Sequence, residues 1–411
     1  MSEVVNYKCL SCNGPLRFDA ASGQLTCDYC GSTFSVQQIE EALAAKQEQA
    51  DAKAEKETAR EQAAQAEAQA WEAEAQGEGE GQAAQGEQAQ TQQEAPQQTH
   101  AVADPIQEFL NRAPWTDAAQ DDVHSYTCSA CAAQLLVDST TAITECPYCG
   151  NQSIIPNQVT GAMKPDYIIP FKVTKDQAMD ALKSHYQGKS LLPNAFSEQN
   201  HLEHIQGVYV PFWLYTYKAN GHATYRAERI RVWTDGRGDT MQETSSYDCT
   251  RVGSMEFKNI PADGSSKMPD AHMDAIEPFD YSELQPFSVA YLPGYAAERY
   301  DVDAEACKSR ATGRMETSVE EALANTVEGY DNVSTESKQV DATLESVSYA
   351  LMPVWMLHTR WNNEDYLFAM NGQTGKFIGD LPIDSGKVVK WFAGVAIPVF
   401  AVVFGALTVL M

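Results

Sequence analysis

The cysteines of this chain fall into two sets of four with the same internal spacing. The first set is Cys9, Cys12, Cys27 and Cys30, and the second, 119 residues further on, is Cys128, Cys131, Cys146 and Cys149. Thiolates in C-x-x-C pairs, joined by a spacer of hairpin length, can converge tetrahedrally on one Zn²⁺. The spacing therefore predicts two structural Zn²⁺ ions, one in each set.

Other residues repeat at the same offset, which indicates a duplicated zinc ribbon. The matching pairs are Tyr7 and Tyr126, Leu16 and Leu135, Asp19 and Asp138, Tyr29 and Tyr148, and Gly31 and Gly150. Four cysteine ligands leave no open position on the ion for water or substrate, so we expect no catalysis at the metal. The protein is accordingly predicted not to be an enzyme, and no catalytic residue is assigned.

The elements that must position these cysteines divide the chain into five segments, which give an α+β multidomain fold. An Ala/Glu/Gln-rich stretch favours helix and a later Gly/Gln/Glu-rich stretch favours disorder, so together they predict a tether that lets the first ribbon reach away from the rest. The predicted segments are the first zinc ribbon (1–36), the helical or disordered tether (37–104), the second ribbon with its lead-in (105–160), an α+β domain (165–385) and a transmembrane helix (391–411).

The segment 165–385 is predicted to be mainly antiparallel sheet. The aromatic run 207–217 is typical of a strand, and 221–233 is predicted to be its hairpin partner. The pair Asn371-Gly372 between apolar runs predicts a second hairpin. Helices are expected over 174–186 and 302–327. The aromatic runs could line a ligand groove, but sheet core is the favoured interpretation.

The last 21 residues, 391–411, carry no charge. A stretch of that length and composition predicts a membrane-spanning helix. Lys387 and Lys390 just before it favour a cytoplasmic N-terminal side. We therefore expect a single-pass protein of the cell membrane with its bulk in the cytoplasm, and Met411 indicates either a minimal tail anchor or a chain cut short before a second helix.

The formal net charge of −28 argues against nucleic-acid binding. The span 113–163, which holds the second ribbon, contains no Lys or Arg. A secretory signal is not evident, which favours a reducing compartment with metal-bound thiolates over disulfides. A nucleic-acid-binding regulator nevertheless stays open as the alternative function.

A weaker metal motif is His201-Leu-Glu-His204, with two imidazoles three residues apart. It could form half of a metal site and would support an enzymatic alternative, but no third ligand accompanies it. A polar surface turn is the favoured interpretation.

The order of these features resembles bacterial membrane-anchored proteins described as TFIIB-type zinc-ribbon-containing. The resemblance covers roughly 122–411 and rests on five stretches. They are the second cysteine set with Cys146-Pro-Tyr-Cys149-Gly150, Ile169-Pro-Phe-Lys172, Leu191-Leu-Pro-Asn-Ala-Phe196, Tyr209-Val-Pro-Phe-Trp-Leu214 and Asn371-Gly-Gln-Thr-Gly-Lys376. No nucleotide-binding motif supports the helicase label that some of these proteins carry.

This resemblance implies a membrane-anchored, cytosol-facing scaffold or adaptor that binds protein partners. The partners it suggests are envelope-stress proteins similar to phage shock protein A, or SPFH/virion-core-like proteins. The additional first ribbon on its acidic tether departs from the family pattern and leaves the partner open.

Overall fold

A computed structural model gives the fold of residues 8–12, 14–45, 48, 104–112, 115, 123–138, 143, 145–152, 154–157, 163–194, 196 and 204–410. The helices described are α1 (36–45), α2 (Pro105–Leu110), α3 (Lys175–Tyr186), α4 (Asp270–Ile276), α5 (Ala304–Ala324) and α6 (Ser385–Leu410). The strands are β1 (Leu16–Asp19), β2 (Gln24–Cys27), β3 (Thr33–Phe34), β4 (Val123–Cys128), β5 (Gln134–Asp138), β6 (Ile154–Asn157), β7 (Tyr167–Ile168), β8 (Gln206–Thr234), β9 (Thr240–Asp263), β10 (Gln285–Pro286), β11 (Ala296–Glu298), β12 (Asn332–Trp361), β13 (Glu364–Asn371) and β14 (Phe377–Gly379).

The chain divides into two compact units. Residues 1–33 and 104–411 form the first unit, and residues 34–103 form the second. In the second unit, Ser35 caps α1 through a reciprocal pair of hydrogen bonds with Gln38, which satisfies backbone donors at the start of the helix. Most of the predicted tether lies outside the described residues. Residues 104–411 of the first unit are called the body.

The described strands form two sheets. The small one, in the order β1-β2-β3, belongs to the first ribbon. The large one has eleven strands and runs β10-β7-β12-β8-β11-β5-β4-β6, with β9 beside β8, β13 beside β12 and β14 beside β13. Strands β8 and β12 form its centre as a long antiparallel pair. The fold of the described residues is thus mostly β, and the predicted α+β multidomain class is wrong; the long central pairs of the large sheet are antiparallel.

Strand β8 is continuous over 29 residues, so the predicted hairpin between 207–217 and 221–233 is wrong. Gly221, the first residue of the predicted partner strand, lies in mid-strand under α5. A Cβ atom there would come within 2.5 Å of Val319 Cγ1 and 2.8 Å of Leu323 Cδ1. The glycine is needed for close approach of the helix. The true hairpin partner of β8 is β9, which follows a turn at 235–239.

The aromatic runs form the core of the sheet, as predicted. Tyr209, Trp213 and Tyr215 are fully buried, and Trp355 on β12 is nearly so. The ring of Phe171 stacks on that of Tyr295 with centroids 4.1 Å apart. Burial of such large apolar side chains is the main stabilising contribution in a domain of this kind.

Two further local predictions are confirmed. Thr174 caps α3 in a capping box with Gln177, and the buried face of the helix holds Ala178, Leu182 and Tyr186. Strands β13 and β14 pair antiparallel across the Asn-Gly turn, where the side chain of Asn371 accepts hydrogen bonds from the backbone N–H groups of the two residues after Gly372.

The C-terminal helix α6 overturns one prediction. Side chains are described at 385–400 and 403, its first turns carry Lys387 and Lys390, and Pro398 lies inside it. Within the described part of the chain, no helix combines the length and apolar character needed to cross a membrane. The predicted transmembrane helix at 391–411, the single-pass membrane location and the membrane part of the predicted fold are therefore wrong.

Candidate metal centres

The first ribbon brings its four cysteines together on two tight turns. The N–H of Cys9 donates to the carbonyl of Gly14 at 2.8 Å, and the N–H of Cys27 donates to Ser32 at 2.9 Å. Gly31 follows the second cysteine pair with φ at +70°, a left-handed conformation that favours glycine, and its N–H donates to Cys27. Each turn points two Sγ atoms inward.

The second ribbon repeats these hydrogen bonds at an offset of 119 residues. Cys128 donates to Ala133 at 3.0 Å, Cys146 donates to Asn151 at 2.9 Å, and Gly150 has φ at +64°. The backbone of the two cysteine turns is therefore duplicated as well as their sequence.

The sulfur atoms in each set fit a single tetrahedral ion. In the first cluster, Cys9 and Cys30 Sγ atoms lie 3.5 Å apart, as do those of Cys12 and Cys27. In the second cluster, the corresponding separations are both 3.6 Å, between Cys128 and Cys149 and between Cys131 and Cys146. Two thiolates at about 2.3 Å from one Zn²⁺ would be about 3.8 Å apart, whereas a disulfide would place them at about 2.0 Å.

All four Sγ atoms of each set lie within 4.8 Å of one another, so each cluster could hold a metal ion. Among the described residues, these are the two groups of side chains that could hold a metal ion, and their number equals that of the predicted ions. A set of four thiolates is the donor set of a structural zinc site. The identity of the metal as zinc stays a prediction.

One thiol in each cluster ionises more easily than a free cysteine. The Ser32 hydroxyl 3.2 Å from Cys30 Sγ lowers the pKa of that thiol to about 6. Burial opposes ionisation of Cys128, but hydrogen bonds from the backbone of Cys131 and Ala130 outweigh it and lower its pKa to about 7. A thiolate is the form that binds a metal, so each cluster offers one ligand that is ionised near neutral pH.

The two clusters lie in different surroundings. Cys12 and Cys30 of the first cluster are exposed, whereas Cys131 and Cys149 of the second are partly covered. Cys128 and Cys146 belong to the hydrophobic core of the body, packed with β8 residues such as Val208. Strand β5 of the second ribbon pairs with β11, which in turn pairs with β8. The second ribbon is therefore continuous with the central sheet.

A buried carboxylate adds to this connection. Glu298 on β11 accepts hydrogen bonds from the Tyr148 hydroxyl at 2.5 Å and the Ser265 hydroxyl at 2.8 Å. Burial raises the pKa of Glu298 to about 8. Sequence reasoning missed Glu298, because it is 149 residues from the nearest predicted ligand and no motif marks it.

The histidine motif does not assemble into a metal site among the described residues. His201 lies outside them. His204 Nδ1 is 2.7 Å from Glu145 Oε1, immediately before the ligand Cys146, and Gln206 Nε2 reaches the same carboxylate at 3.4 Å. The position of Glu145 beside this histidine had no signal in the sequence.

The first ribbon packs against the body through β1. The Phe18 ring meets that of Tyr291 edge to face, with centroids 5.4 Å apart, and the Phe18 N–H donates to Pro293 at 3.2 Å. Between ribbon and body lies a cleft of about 390 Å³ whose lining includes Arg17, Asp19 and Trp355.

The chain is 34% identical over 245 residues to the uncharacterized protein YdjG of Bacillus subtilis (strain 168); the aligned part is 59% of this chain and 71% of that relative. No protein-family model and no solved structure matches the chain.

Proposed function

The chain belongs to the family of the Bacillus subtilis protein YdjG, and we propose that it is a non-enzymatic zinc-ribbon adaptor that binds protein partners. The closed sets of four cysteines support this proposal, because a metal with four protein ligands holds a fold together and has no position for substrate. The second cluster, inside the core of the body, would then stabilise the fold of the body.

The observation that carries the proposal is that one duplicated tyrosine is buried in the second ribbon and exposed in the first. Tyr148 of the second ribbon is 6% exposed and bonds to the body, whereas its counterpart Tyr29 in the first ribbon is 78% exposed. Leu10, which also lies between paired cysteines, is 42% exposed. One copy of the ribbon thus uses this face internally, and the other presents it to solvent.

An exposed tyrosine and leucine on a metal-stiffened turn suit a protein interface. Tyrosine supplies a large apolar contact at a small cost in side-chain entropy and is enriched at interface hot spots. We propose that the face around Tyr29 and Leu10 is where the partner docks. Proteins similar to phage shock protein A and SPFH/virion-core-like proteins are the proposed partners, on the resemblance to TFIIB-type zinc-ribbon proteins.

Nucleic-acid binding is disfavoured by the charges of the first ribbon. Its Arg17 guanidinium lies 3.7 Å from the Asp28 carboxylate, an acidic neighbour that a phosphate-binding surface would avoid.

The test is binding of purified, zinc-loaded protein to a purified phage shock protein A-like or SPFH-type protein, measured by titration calorimetry. Y29E with L10E should weaken binding about tenfold or more while leaving two zinc ions per chain, because a buried unpaired charge is costly at an interface. V232E, which alters an exposed side chain on the β8–β9 hairpin, is the matched control. Absence of binding to either protein class, or equal affinity of all variants, would contradict the proposal.

A further inference from the structure

We propose that the first cysteine cluster is an exchangeable metal site whose ion keeps the first ribbon closed over the cleft, whereas the second cluster holds its ion permanently. This inference rests on the proposed metal binding. Release is a ligand exchange in which Zn²⁺ passes to a competing chelator and the thiolates take up protons. No electrons are transferred.

The ligands of the first cluster are the more accessible ones. A chelator or a proton must reach a sulfur atom before that bond can break. Cys12 and Cys30 of the first cluster are exposed. The equivalent ligands of the second cluster, Cys131 and Cys149, are only partly exposed, and a Cβ atom on Gly150 would come within 2.8 Å of the His358 ring. The other two ligands are buried in both clusters. The second ion is therefore shielded on sides where the first is open.

The two ribbons differ in the contacts that must break when each one opens. Opening the second ribbon would separate β5 from β11, break the Tyr148–Glu298 hydrogen bond and expose core side chains such as Leu135. Opening the first ribbon would separate the Phe18 ring from Tyr291 and break the backbone hydrogen bond from Phe18 to Pro293, but it would unpair no strand of the large sheet, because β1, β2 and β3 form a sheet of their own. Local openings that expose little buried surface cost far less than openings of the core.

The first ribbon cannot keep its fold without a bound ion. Its buried apolar side chains, apart from the cysteines, are Leu16, Phe18, Ala20 and Leu25 among the described residues. So small a core does not fold alone, and binding free energy at a structural zinc site is folding free energy. Loss of the first ion should therefore separate Phe18 from Tyr291 and Pro293 on the body.

The cleft connects metal loss to a change at the surface of the body. Arg17 and Asp19 of the first ribbon form one wall, and Glu145 and His204 line the body side with Tyr295 and Trp355. When the ribbon unfolds, that wall leaves and these body residues become accessible. The first ribbon would then act as a metal-dependent latch.

The experiment follows zinc release from the full-length protein into excess 4-(2-pyridylazo)resorcinol. We expect one equivalent to leave about tenfold or more faster than the second, in keeping with the lower cost of local opening. C12S should abolish the fast phase and keep the slow one. Release of both equivalents in one phase, or a fast phase that survives in C12S, would overturn the latch. Protein purified without zinc would instead contradict the proposed function.

Hydrogen exchange, measured before and after the fast equivalent of zinc has left, provides a second test. After the fast equivalent has left, amides at 14–27 and at 291–296 should exchange faster, while those at 123–138 should not change. F18A should speed the fast phase and expose 291–296 even with zinc bound, whereas Q24A, on an exposed side chain of β2 in the same ribbon, should do neither. Equal effects of the two variants, or protection at 291–296 after zinc loss, would overturn the latch.

Discussion

The hydroxyl of Tyr148 donates a 2.5 Å hydrogen bond to Glu298 Oε2, and both side chains are buried. Tyr148 lies within a cysteine pair of the second ribbon, and Glu298 ends the short strand that joins this ribbon to β8. One polar contact therefore connects the metal cluster to the central sheet.

Y148F should lower the free energy of unfolding by about 1–3 kcal/mol, because it leaves a buried carboxylate oxygen without its donor. Y29F alters the equivalent residue of the first ribbon, which is mostly exposed, and should change stability by no more than about 0.5 kcal/mol. Urea denaturation followed by tryptophan fluorescence measures both. Equal destabilisation by the two substitutions would contradict the assignment.

The raised pKa of Glu298, to about 8, predicts a pH dependence of stability. Between an unfolded pKa near 4.5 and the folded value, the native state binds more protons than the unfolded state. The contribution is therefore fully present below about pH 4.5 and is lost as the pH rises towards 8, with a slope of at most about 1.4 kcal/mol per pH unit.

E298Q, which removes this ionisation, should flatten the dependence of stability on pH between 5 and 8. Denaturation curves of both proteins at several pH values measure the difference. Parallel curves would show that Glu298 titrates as it does in the unfolded chain. D19N replaces a half-buried carboxylate at the end of β1 whose pKa is lowered, and it serves as the control, since it should not change the slope in this range.

Cysteine substitutions at equivalent positions should have unequal effects on the body. C146S removes a core ligand and should destabilise the body by at least about 3 kcal/mol, a fraction of the roughly 10–16 kcal/mol that binding of a structural zinc ion supplies. C27S, its counterpart, should leave the main unfolding transition nearly unchanged. Thermal unfolding monitored by near-ultraviolet circular dichroism distinguishes them, and an equal fall in both would place the two clusters in one cooperative unit.

Gly221 should not tolerate even one added methyl group. G221A would place Cβ 2.5 Å from Val319 Cγ1, and overpacking of this kind costs about 1–3 kcal/mol. In contrast, G313A on α5 meets nothing within 4 Å and should stabilise the helix by up to about 1 kcal/mol. Chemical denaturation of the two variants checks the opposite signs. Stabilisation by G221A would mean that α5 is not packed closely on β8.

The cysteine clusters were predictable because their geometry is local. Two turns fix the sulfur positions in each cluster, because each turn is closed by a backbone hydrogen bond from the N–H of its first cysteine. The spacing between the cysteine pairs then brings the two turns together. The cap at Thr174 was predictable for the same reason, since both partners lie within four residues.

Features that depend on distant contacts were not predictable. The sequence does not reveal that α5, about one hundred residues later, packs over Gly221, so 207–217 and 221–233 were predicted as two strands instead of one. The pairing of β5 with β11 likewise rests on a strand of three residues, too short to produce a periodic pattern. The apolar composition of 391–411 predicted a membrane span, but α6, as far as it is described, does not combine the length and the apolar character that a span requires.

Strand β8 carries the aromatic core and the projecting hairpin on one unbroken stretch of chain. Side chains alternate between the two faces of a strand, so inserting a single residue would exchange inward and outward sets on one side of the insertion. The reach of the hairpin can therefore grow or shrink during evolution only in pairs of residues, or at irregularities such as the one between Tyr215 and Tyr217.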